Sequence, residues 1–120
     1  MNRAKVCVIA LFILIPLACY KQAPEGFSVA GSKSYEASLY KQQCVICHGP
    51  EGEGKVIENG VKVPSLREGE FKFKTEDEIY NQITNGGNGM TPFRDILTDR
   101  ERKLLASLVH DKLRNNNKKP

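Results

Sequence analysis

Tryptophan is absent from this 120-residue chain, aromatic residues make up only 8% of it, and it holds just two methionines and two histidines. A chain of this size buries about 60–70% of the surface its unfolded form exposes. A core with so few rings is therefore short of apolar bulk, and something other than side chains is needed to supply it. The formal net charge is +4, but Arg3 and Lys5 stand in a leader expected to be removed, which leaves the remainder mildly basic. No basic stripe interleaves with aromatics, so nucleic acid is excluded as a partner. The apolar run Val6–Leu17 falls short of the roughly 20 residues that a membrane span requires. The glycine-rich run Gly49–Gly54 lacks a Lys-Ser/Thr ending and a preceding strand, so it is not read as a phosphate cradle.

What the chain does hold is Cys44-Val45-Ile46-Cys47-His48. A C-x-x-C-H run reads as a site of covalent c-type haem attachment. Thiols three residues apart lie side by side on one helical turn, where they can form thioethers with the two vinyl groups on one edge of a haem. The histidine that follows at once can serve as the proximal axial ligand. Other readings of the run are poorer. Structural zinc wants a second ligand pair, and His110 is the only other histidine. A thioredoxin-like redox pair wants a βαβ context. A disulfide in so short a loop is strained and leaves His48 unexplained.

The chain opens with Arg3 and Lys5 before the apolar run, the layout of a signal peptide. Pro16-Leu17-Ala18-Cys19 resembles the lipobox of bacterial lipoproteins, which implies lipidation of Cys19. The alternatives are ordinary cleavage after Ala18 or an uncleaved anchor. Cys7 reads as a small apolar residue. Residues 1–18 are thus assigned to a signal peptide, 19–33 to a flexible tether, 34–114 to a folded domain, and 115–120 to a disordered basic tail.

Within the domain, Tyr35, Leu39 and Tyr40 recur at helical spacing, so Ser34–Cys44 is expected to form a helix leading into the C-x-x-C-H turn. Thr75 and Glu78 form a capping box before Ile79, Tyr80 and Ile83, and Asn85-Gly86-Gly87 ends that helix. Thr98 and Glu101 cap a last helix that runs through Leu104, Leu105, Leu108 and Val109 to Leu113. Between the last two helices, Met90 lies in an irregular loop rather than on a core-facing element. A thioether there is a soft iron ligand, and His/Met ligation raises a haem potential. His110 is the rival sixth ligand.

From Ser34 to Leu113 the chain resembles the mono-haem class I cytochromes c of the small bacterial type. The likeness rests on Cys44–Gly49, on Pro64-Ser65-Leu66, on Gly86 to Phe93 with Met90, and on the last amphipathic helix. It implies an all-α cytochrome c fold of three to four helices around one covalent haem. It also implies that the Pro64 carbonyl orients His48, and that Leu66, Met90 and Phe93 line the cofactor. Thr91 stands between Met90 and Pro92 where the family usually has proline at once. The first and last helices are expected to cross at Ala37, Tyr40, Leu105 and Leu108.

Two axial protein ligands leave the iron no open position, so the expected role is one-electron transfer and not enzymatic catalysis. The expected setting is the periplasmic or envelope side of a bacterial membrane, with transient redox partner proteins, a lipid anchor and a monomeric state. A permanently bound subunit of a larger oxidoreductase and a five-coordinate ligand-sensing haem protein remain as alternatives.

Overall fold

The structure, a computed structural model, describes residues 26–115. The signal peptide, Cys7, Cys19 and all of the basic tail but Asn115 lie outside the described residues.

Helix α1 spans Tyr35–Gln43, with the Ser34 side chain accepting a hydrogen bond from Ala37 N at its start. Helix α2, Val45–His48, follows after Cys44. Helix α3, Glu76–Asn85, begins with the Thr75/Glu78 capping box and ends at Gly86. Helix α4, Asp99–Ser107, begins with the Thr98/Glu101 box. The helix boundaries therefore fall where the caps place them.

Past Ser107 the last helix widens into a π-helical turn, Leu108–Leu113. Leu108, Val109 and Leu113 are all buried there. Lys112 meanwhile reaches back to the carboxylate of Glu36 at 2.6 Å.

The core is one cluster. Ala37, Leu39 and Tyr40 of α1 and Ile79 and Ile83 of α3 join Leu105, Ala106, Leu108, Val109 and Leu113 from the last helix. Helix α4 packs on both α1 and α3. The expected crossing is present: Ala37, Tyr40, Leu105 and Leu108 are each exposed by 2% or less. With alanine at both Ala37 and Ala106, fully buried, no large side chain holds the helices apart at those points.

Two features depart from the expectations. A two-stranded antiparallel hairpin pairs β1, Lys55–Val56, with β2, Lys62–Val63. Its turn holds Asn59 and Gly60 at positive φ, the conformation that an Asn-Gly pair favours. The otherwise helical domain thus carries a small sheet.

The second departure concerns the tether assigned to residues 19–33, whose last part is folded. Val29 is completely buried. The Glu51 carboxylate accepts hydrogen bonds from Ser28 Oγ at 2.9 Å, Val29 N at 2.7 Å and Ala30 N at 3.0 Å. Arg67 Nη2 donates to Phe27 O at 2.6 Å and to Glu51 Oε2 at 3.0 Å. Lys41 Nζ donates to Ala30 O and Ser32 O. A polar, glycine-containing stretch without helical periodicity becomes ordered because distant side chains satisfy its backbone groups.

Replacing Thr98 by alanine removes the acceptor for Glu101 N. This should cost about 1 kcal/mol, or roughly 4–8 °C in Tm for a domain of this size, measurable by thermal unfolding followed by circular dichroism.

Candidate functional site

The two cysteines occupy unlike surroundings. Cys44 closes α1, its amide donating to Tyr40 O at 2.8 Å, and burial pushes its thiol up to about 12. Cys47, one turn on, is exposed. Both thiols are free, as ligation to an outside group requires.

His48 ends α2 and is partly buried. Burial holds its pKa below the ordinary 6.5, so the imidazole is neutral at pH 7 and keeps a lone pair for a metal. Its Nδ1 is buried with no hydrogen-bond partner. An orphaned buried nitrogen is costly, and its presence marks a ring arranged for something besides internal hydrogen bonding.

The loop beyond His48 is held from two sides. Tyr40 OH donates to Gly49 O at 3.0 Å, and Gly54 N donates to His48 O at 2.9 Å. Leu66 N donates to Gly52 O at 2.8 Å, which ties the Pro64-Ser65-Leu66 segment to the same loop. Gly54 is necessary here. At its φ of +77°, an added Cβ would lie 2.5 Å from Val63 O and 2.8 Å from the carbonyl carbon of Pro64. Pro64 therefore passes one backbone layer from His48, although no hydrogen bond joins its carbonyl to Nδ1.

Met90 enters from the other half of the chain. Gly87 and Met90 exchange both backbone hydrogen bonds, at 2.9 and 3.0 Å, and Phe93 N donates to Ile83 O at 3.0 Å. Gly86, which ends α3, lies so close to the loop that an added Cβ would stand 2.5 Å from Met90 O. The loop is irregular in path but stapled to α3. Gln82 Nε2 donates to Gly87 O at 2.9 Å and approaches Met90 Sδ at 3.8 Å. Sequence reasoning missed Gln82, because nothing along the chain marks a glutamine eight residues before a methionine.

Cys44, Val45, Leu66, Phe73, Tyr80, Met90 and Phe93 are all half-buried against the single core. Each leaves part of its apolar surface uncovered. His110, by contrast, has its Nδ1 2.6 Å from Asp111 Oδ1 and shares its corner with Glu76. Its ring is engaged with a carboxylate.

The residues fit a covalent haem: two free thiols one turn apart, a neutral imidazole with an orphaned nitrogen, and a thioether held in a stapled loop. The comparisons agree. Residues 36–109 match the family model described as cytochrome C oxidase, cbb3-type, subunit III. The chain is 27% identical over 106 residues to a cytochrome c6 of Thermosynechococcus vestitus, covering 88% of this chain and 87% of that protein.

Among solved structures, a c-type cytochrome described as KustC0563 superimposes with a TM-score of 0.53 at 33% identity, over 61% of this chain and 90% of that one. Cytochrome c6 from the diatom Phaeodactylum tricornutum gives 0.52 at 26% identity, over 62% and 86%. Fold and site together define a c-type cytochrome. The chain belongs to the cytochrome c family represented by the cbb3-type subunit III model, a family of electron carriers, and it binds haem c covalently through Cys44 and Cys47.

In the haem-free chain, an alkylating agent at pH 8 should label Cys47 well before Cys44. Labelling of Cys44 should rise about tenfold per pH unit as the thiolate fraction grows toward its pKa, which peptide mass mapping can follow.

Proposed function

We propose that this protein is an exported one-electron carrier, with His48 and Met90 as the two axial ligands of its haem iron and Cys19 as the site of a lipid anchor. The observation that carries the ligand assignment is the placement on α2 of a partly buried His48 directly after two free thiols, together with a thioether in a loop stapled to α3. Support for the setting comes from the leader and from the cytochrome c6 relatives. No helix among the described residues is long and apolar enough to cross a membrane.

The haem supplies reversible one-electron exchange at its iron. The rest is the work of this chain. Cys44 and Cys47 would hold the haem to α2, while the Tyr40–Gly49 and Gly54–His48 hydrogen bonds hold the loop behind the imidazole. Pro64, on the segment tied to Gly52, is the proposed acceptor for the Nδ1 proton. Such a bond would set the tautomer and strengthen His48 as a donor. Leu66 and Phe93 would shield the haem from water. With His48 and Met90 both holding the iron, a substrate would have no place to bind there. That is the reason for reading a carrier and not an enzyme, with transient docking to redox partners.

Gln82 contributes to the potential. A thioether has two lone pairs, and a donor aimed at one of them withdraws density from the other. That weakens donation to the ferric state more than to the ferrous state, and so favours reduction.

The reduced absorption spectrum of the purified protein and its pyridine derivative report haem type, thioether linkage and ligation together. Met90→Ala should take carbon monoxide binding by the reduced protein from negligible to nearly stoichiometric. Unchanged exclusion of carbon monoxide would remove Met90 from the ligand set. Gln82→Leu should lower the midpoint potential by at most roughly 40 mV, the shift reached only if the whole of a hydrogen bond worth about 1 kcal/mol were confined to the reduced state, with a tenfold ratio as about 59 mV. Redox titration checks it.

A further inference from the structure

The segment before α1 is fastened far more heavily than a linker needs. The three donors from Ser28, Val29 and Ala30 converge on the Glu51 carboxylate. The Arg67 guanidinium, whose side chain is 5% exposed, bridges that carboxylate to Phe27 O. Lys41 adds two bonds to the carbonyls of Ala30 and Ser32, and Lys112 Nζ sits 5.2 Å from the centre of the Phe27 ring. Burial works against the Glu51 charge, but the Ala30, Val29 and Ser28 donors and the Arg67 guanidinium hold its carboxyl below the usual carboxylate range.

The consequence is a matter of length. Counted from Cys19 to Ser34, a free tether would reach roughly 50 Å at 3.3–3.6 Å per residue. Counted only to Phe27, where the clasp begins, the reach is roughly 30 Å.

We propose that residues 27–33 are a strap which Glu51 and Arg67 clasp to the haem domain, so that a domain anchored at Cys19 is held close to its lipid surface and serves redox proteins embedded in or resting on that same membrane. This rests on the lipid-anchor reading given above. A carrier reaching a distant partner has no use for a strap that shortens its tether. A carrier passing electrons between neighbours on one membrane gains a higher local concentration from it.

The test uses the lipidated, haem-loaded full chain on vesicles that carry a fluorescent headgroup, with the haem as quencher. The variants are Glu51→Ala/Arg67→Ala, which releases the strap, and an insertion of seven Gly/Ser residues after Gln22, which lengthens the tether and leaves the clasp intact. The wild-type chain should sediment with the vesicles and quench strongly. Both variants should remain bound and quench about twofold less, as the greatest reach of the domain grows from roughly 30 Å to roughly 50 Å. Amide exchange at Val29 and Ala30 should accelerate only in the double variant.

If the insertion lowers quenching and the double variant does not, the clasp does not govern reach and the proposal is overturned. If quenching is indifferent to the insertion as well, the domain is not held by its tether, which also overturns it. A wild-type chain that fails to sediment with vesicles overturns the anchor reading first and the strap's role with it. Should the double variant fail to fold, moving the seven-residue insertion to follow Lys33, inside the clasp, distinguishes the two positions. Lengthening there should leave quenching less altered in a domain held by a closed clasp than the insertion after Gln22 does, and equal loss at both positions overturns the proposal.

Discussion

Every part of the site depends on how a four-residue helix with no buried residue of its own is held in place. No residue of helix α2 is fully buried, Val45 and His48 being only partly covered, so packing alone does not position His48. Its place is set by two carbonyls at its end, those of His48 and Gly49, which accept from Gly54 N and from the buried Tyr40 hydroxyl. Tyr40 belongs to the central cluster, and Gly54 is pressed against the Val63–Pro64 backbone. The imidazole thus takes its position from the core on one side and from the hairpin on the other.

The core itself stops short of the site. Its largest fully buried side chains are Tyr40 on α1, Leu105, Leu108 and Leu113 on the last helix, and Val29 ahead of α1. Cys44, Leu66, Phe73, Met90 and Phe93 are only half covered. A small chain without tryptophan thus leaves apolar side chains half covered around its core, and in the reading proposed above the haem on Cys44 and Cys47 would cover them. The shortage of rings in the sequence and the half-covered side chains in the fold are one fact seen at two levels.

The helices were legible because their caps are local. Thr75 with Glu78 and Thr98 with Glu101 bond within one turn, so sequence spacing alone reveals them. The thiol pair and His48 were legible for the same reason. The strap, Arg67 and Gln82 were not, since each acts on atoms far away along the chain: Arg67 on Phe27 and Glu51, and Gln82 on the loop past the end of its own helix. Polar residues that complete someone else's backbone leave no periodic trace. The hairpin is an intermediate case, for its Asn-Gly turn was a usable signal, although strands of two residues carry too little alternation to be noticed. Pro64 was singled out by resemblance, and the fold brings its backbone to the loop behind His48.

The Lys112–Glu36 bond and the ring of Phe27 beneath Lys112 join the two ends of the described chain. Long closures of this kind form late and slowly. A growing polypeptide cannot complete this joint until its final helical turn has been made. Up to that moment α1 lacks the surface of the last helix that buries Ala37 and Tyr40. The first of these helices to be made therefore waits on the last for its burial.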